Sequence, residues 1–81
     1  MELKDTVELM LSGKHEDRFK AEYYQTKTRY NRLHRMVIKY EAGTLDFEPM
    51  CSMSILVNQK RAMGEYLHYL EVRAEMEGIE L

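Results

Sequence analysis

Residues that break or staple a chain are scarce in this sequence. Its 81 residues include one Pro, one Cys, four Gly and no Trp. The single cysteine, Cys51, excludes an internal disulfide and fits a reducing compartment. No apolar run approaches the roughly 18 residues needed to cross a bilayer. The opening Met1-Glu2-Leu3-Lys4-Asp5 lacks the basic and apolar regions of a signal peptide. The expectation is a soluble, cytoplasmic protein. Net charge is only −2, which argues against general duplex nucleic-acid binding, where a basic domain is expected.

Chemical motifs are equally scarce. No Gly-x-Gly-x-x-Gly, P-loop or His-Glu-x-x-His spacing occurs. His15, His34 and His68 are scattered, and Cys51 has no His in register to activate it. The Glu residues of the C-terminal third spread around a helix instead of pairing inward, so a four-helix di-metal pattern is missing. No catalytic residue, metal ligand or cofactor motif emerges, and the expectation is a binding protein and not an enzyme.

What the chain does have is helix. With 32% charged and 44% hydrophobic residues it reads as one ordered all-α domain over 1–81, at the lower end of what a single core supports. Glu16 to Glu41 contains neither Pro nor Gly. Along it Phe19, Tyr23, Thr26, Tyr30, Leu33, Val37 and Tyr40 recur at alternating spacings of four and three, one seam of a long helix. Such a helix, about 39 Å long at about 1.5 Å per residue, needs a partner face to be stable in water.

In chain order, residues 2–12 form a short helix with Leu3, Val7, Met10 and Leu11 on one side, and Gly13 is its expected left-handed cap. The long helix covers 14–42 and stops at Gly43. The loop carries Pro49, which biases Glu48 away from helical geometry, and Ser52 or Ser54 caps the next helix. That helix, 52–77, has a seam of Ile55/Leu56, Gln59, Met63, Tyr66, Leu70, Arg73 and Glu77, and ends at Gly78. A short loop sets the two long helices antiparallel. The expected fold is therefore a long antiparallel helical hairpin with a short N-terminal helix. Its register places Tyr40 near Leu56, Leu33 near Met63, Thr26 near Leu70 and Tyr23 near Arg73, with Glu22 and Arg73 able to pair.

One buried seam cannot cover two wide stripes. Met36, Ile38, Leu67, Val72 and the leading helix all need further cover, and self-association into at least a dimer supplies it. Six of the eight aromatic residues are Tyr, with broad rings and polar tips suited to interfaces and stacking. The basic residues Lys14, Arg18, Lys20, Lys27, Arg29, Arg32, Arg35 and Lys39 concentrate on the first long helix of a mildly acidic chain. That fits a local site for a small, strongly anionic ligand; a solvated face with pairs such as Glu16–Lys20 and Arg18–Glu22 is the plainer alternative.

Arg18-Phe19-x-x-Glu22, Tyr30-x-x-Leu33 and Leu56-x-x-Gln59-x-x-x-Met63-x-x-Tyr66-Leu67-x-x-Leu70-x-x-Arg73, with the tail Arg73 to Leu81, resemble small phage proteins built on an Arg-rich helical hairpin. These look related to the hairpin shared by anti-CBASS and anti-Thoeris sponge proteins, and the likeness covers residues 16–81. It implies a phage anti-defence protein of the infected bacterial cytoplasm. Such a protein binds and sequesters cyclic oligonucleotide or cyclic ADP-ribose-type immune signals without cleaving them, in symmetric oligomers such as hexamers. Carried over by position, it implies ligand contacts from Arg18, Phe19, Tyr23, Tyr24, Lys27 and Arg73. The alternative is a small helical adaptor or inhibitor that binds a host protein, of the anti-CRISPR kind; a third reading is a hairpin that only self-associates.

Overall fold

The computed structural model describes residues 1–81 and contains helices and no strand. A 3-10 turn over Leu3–Thr6 leads into α1, Val7–Leu11, followed by α2, His15–Ala42, and α3, Met53–Glu77. No helix is long and apolar enough to cross a membrane.

The ends of the long helices follow local chemistry. Gly43 takes a left-handed φ of 76°, and the Thr44 N–H turns back to the Lys39 carbonyl at 2.9 Å. Gly78 does the same at φ 70°, with the Ile79 N–H reaching the Ala74 carbonyl at 2.8 Å. Both close orphan carbonyls that a helix end would otherwise leave open. At the start of α3 the Ser52 hydroxyl accepts the Ile55 N–H at 3.3 Å, so Ser52 is the cap and not Ser54.

The leading segment, expected as a short helix over 2–12, is helical over residues 3–11, but its first turn is 3-10 and not α. Glu2 and Asp5 form a reciprocal cap on the 3-10 turn, and α1 is only five residues long. Gly13 is not left-handed. Instead Ser12 is extended, donates its hydroxyl to Asp17 at 2.8 Å and accepts the Lys14 N–H at 3.1 Å. A side-chain link into α2 thus replaces the glycine cap.

α3 returns along α2. His15 meets Glu77, Tyr23 meets Glu71, Tyr30 meets Gly64, and Leu33 shares a hollow with Leu56. The two helices therefore run in opposite directions. The core lies where the start of α2 meets the end of α3, and comprises Phe19, Tyr23, Leu67, Leu70, Ala74 and Ile79, with Tyr24 and Tyr30 against it. Each large apolar side chain buried there contributes about 1.5–3 kcal/mol. Ile79, in the short tail beyond Gly78, is 8% exposed and folds back on α3, its N–H bonded to the Ala74 carbonyl through the Gly78 cap.

The register differs from the expected one by about a helical turn near this end. The Arg73 guanidinium lies 4.9 Å from the centre of the Phe19 ring, where Tyr23 was expected. Two contacts hold it there. Tyr23 donates to Glu71 at 2.7 Å, and Gly64 admits the Tyr30 ring so closely that a Cβ would sit 3.3 Å from it.

A second face of α2 holds the leading segment. Gln25 donates to the Thr6 hydroxyl at 2.9 Å and also contacts Met10. The Thr28 hydroxyl donates to the Met1 carbonyl at 2.9 Å, and Arg32 meets Glu2 at 3.0 Å. Thr6 and Ala21 are wholly buried. Of the side chains expected to need cover, Leu67 is buried within the chain itself, whereas Ile38 and Val72 remain exposed.

Candidate functional site

The residues singled out from the sequence fall into three groups. At the joined ends of α2 and α3, Arg73 covers Phe19 and pairs with Glu77 at 3.3 Å, while Glu77 also receives His15 at 2.8 Å. The His15 hydrogen bond, followed by the nearby Arg73 charge, holds the Glu77 carboxyl below the usual carboxylate range. The expected Glu22–Arg73 pair does not form. Glu22 accepts a hydrogen bond from the Tyr66 phenol, because the turn of register takes Arg73 past it. That hydrogen bond, with some burial, raises the Tyr66 phenol, and the Arg73 charge opposes the rise. Arg18 is exposed and reaches only the Ser12 carbonyl, at 3.4 Å.

Tyr23 and Tyr24 form the second group, edge to face with ring centres 5.2 Å apart. Burial, then the hydrogen bond to Glu71, pushes the Tyr23 phenol up to about 12. Phe19 and Tyr23 have their rings in the core, so Tyr24, which is half-buried, is the accessible ring of the three. Lys27 forms the third group. Its ammonium lies 5.8 Å from the Tyr30 ring centre, beside a shallow hollow that also touches His68 and Glu71. The structure thus joins Phe19 to Arg73 and Tyr23 to Tyr24, links Lys27 to the second pair only through Glu71, and turns the Arg18 guanidinium to the Ser12 carbonyl.

The other half of α2 carries a larger cationic surface that the positional carry-over missed. Two adjoining hollows of about 280 and 300 Å³ share Arg32 and Met36. Arg35, Lys39, Leu45, Asp46 and Phe47 line the first; Arg29, Leu33, Leu56, Gln59 and Met63 line the second. Arg29, Arg32, Met36 and Lys39 recur three or four residues apart, which puts them along one side of the helix. Only Arg32 has an ion-pair partner, Glu2; Arg29, Arg35 and Lys39 have none. Phe47 stands 56% exposed at the rim. The sequence signal was present in that basic spacing, but the loop that brings Phe47 beside it was not readable.

This trough can do two things chemically. Unpaired guanidinium and ammonium groups offer charge-assisted hydrogen bonds to phosphate oxygens. The apolar floor and the exposed ring offer a flat surface to a purine. No three His, Cys, Asp or Glu side chains converge to hold a metal ion.

The chain is thus a small all-helical protein whose longest helix carries a cationic trough with an apolar floor. A family model described as Sequestin matches residues 13–76, and the chain belongs to that family. The matched span takes in α2, the loop and nearly all of α3, and leaves out the leading segment. No match was found among curated proteins or among solved structures.

Proposed function

We propose that this chain is a phage anti-defence sponge that binds a cyclic oligonucleotide or a cyclic ADP-ribose-type signal and withholds it uncleaved in the infected bacterial cytoplasm. The observation that carries this reading is the α2 trough, where Arg29, Arg35 and Lys39 form no ion pair, although Asp46 shares the hollow of Arg35 and Lys39, and where Leu33, Met36 and Met63 supply apolar surface. The family description, Sequestin, points to sequestration in general terms. A sponge needs affinity and copy number and no transition-state machinery, so a surface of fixed cations and apolar side chains suffices. In this reading the helical hairpin is the repeating unit of a symmetric homo-oligomer. The ligand lies where subunits join, touching the trough and, at the other end, Arg18, Tyr24, Lys27 and Arg73.

Calorimetry against cyclic dinucleotides, cyclic trinucleotides and cyclic ADP-ribose isomers tests it. A bound ligand at 100 times its dissociation constant stabilises the fold by about 2.7 kcal/mol, and chromatography afterwards recovers it intact. Arg35→Ala and Lys39→Ala each weaken that binding by about tenfold or more, the worth of a charge-assisted hydrogen bond. If none of these ligands shifts the melt, the sponge reading fails. A helical inhibitor of a host protein then takes its place, a reading that the exposed apolar side chains of α3 favour.

A further inference from the structure

The leading segment ends where the trough begins. Its polar contacts on α2 follow one stripe, Gln25, Thr28 and Arg32, and Arg35 and Lys39 continue the same alternation of three and four beyond it. Arg32 belongs to both regions. It lines both hollows of the trough, and its guanidinium donates to the Glu2 carboxylate at 3.0 Å. No other ion pair joins the leading segment to α2.

The hold on this segment is uneven. Thr6 is wholly buried and accepts from Gln25 at 2.9 Å. Ahead of it the grip is made at the surface, by the Thr28 hydroxyl on the Met1 carbonyl and by Arg32 on Glu2, whose side chains are 52% and 65% exposed. An ion pair so open to water and salt contributes little. A phosphate group carries more charge than a carboxylate and takes charge-assisted hydrogen bonds from the same guanidinium. Bound at Arg32, it also sets like charge against Glu2.

We propose that Glu2 is a built-in competitor for the trough. A phosphate-bearing anion that takes Arg32 drives the Glu2 carboxylate off, and the first turn of the chain swings away from α2 about the Thr6 anchor. The leading segment thereby sets how tightly the trough holds an anion. By linkage the effect is reciprocal: the factor by which Glu2 weakens the anion is the factor by which the anion loosens the turn. The inference rests on the trough as an anion site, from the functional reading, and does not require the anion to be a cyclic nucleotide.

Inorganic pyrophosphate is the probe, titrated into the isotope-labelled full chain and followed by NMR at about 0.15 M salt, where charges not in contact are largely screened. The Arg32 Nε–H and Asp5 amide signals are expected to move together. Hydrogen exchange at the Asp5 amide, which donates to the Glu2 carbonyl at 3.0 Å, is expected to speed up as pyrophosphate is added. Glu2→Gln keeps an acceptor for the cap on this turn and loses only the charge. It is expected to bind pyrophosphate about two- to fivefold more tightly, the worth of an exposed ion pair. Glu8→Gln removes a charge from the same segment that makes no ion pair, and is expected to leave the affinity unchanged. Three results overturn the proposal: equal tightening by Glu8→Gln, pyrophosphate that shifts Arg35 and Lys39 while Arg32 and Asp5 stay still, or no binding by either the native chain or Glu2→Gln. No cyclic nucleotide enters these measurements, so failure of the sponge reading is a separate outcome.

Discussion

Tyr23 shows how much one polar tip in the core decides. Its ring is buried, yet its phenol reaches Glu71 at 2.7 Å, which satisfies a group that is costly to bury unpaired. The native state favours the neutral phenol, since its pKa is raised from 10.0 to about 12. The stability so contributed is fully present below the unfolded pKa and is lost as pH rises through the folded value. Thermal melts from pH 9 to 12 are expected to show an alkaline fall, of about 1–2 kcal/mol, that Tyr23→Phe flattens. Glu77 acts in the opposite sense. Its lowered pKa gives stability that is present above the ordinary carboxylate range and lost as pH falls through the folded value.

Gly64 decides by the side chain it lacks. An added Cβ would lie 3.3 Å from the Tyr30 ring. Gly64→Ala is expected to be near neutral, because about 1 kcal/mol of helix propensity offsets the crowding. Gly64→Val, with two more carbons against the ring, is expected to cost about 1–3 kcal/mol in chemical denaturation.

Among the elements, α2 is the hub because it is useful on two sides. One side meets α3, and the other, through Ala21, Gln25, Thr28 and Arg32, holds the leading segment. The first stripe is legible in the sequence from its large apolar residues, and the second is not. Its members are small or polar and pack by hydrogen bonds, which hydropathy does not register. The end of α3 is anchored in the same economical way. Ile79 sits under a left-handed glycine and joins the core, so Ile79→Ala is expected to cost about 2 kcal/mol or more. Denaturant titration checks this, and a change below half that size would show the tail to be loosely held.

For the whole molecule the dominant fact is how little it buries. Nine of 81 residues are buried, and the radius of gyration is 14.9 Å, against about 12 Å for a compact domain of this length. A rod 43 Å long and 18 Å thin has too little interior to shield Ile55, Tyr69 and Met76. If copies pair through these side chains, the melting temperature rises with protein concentration, because association draws on the folded state alone. A melting temperature that does not change over a hundredfold dilution counts against assembly at any surface.

The sequence by itself determined that this chain is helical, where the two long helices stop, and that its cations gather on the first of them. Those properties depend on neighbours within a few positions: heptad spacing, a glycine able to turn left-handed, a serine ahead of a helix. Only the tertiary structure decided that Phe19 lies under Arg73, that Glu22 takes Tyr66, and that Phe47 stands beside Arg35 and Lys39. Each of those contacts depends on how two long helices settle against one another, and sliding one by a single turn costs little in pattern while exchanging every partner along the seam.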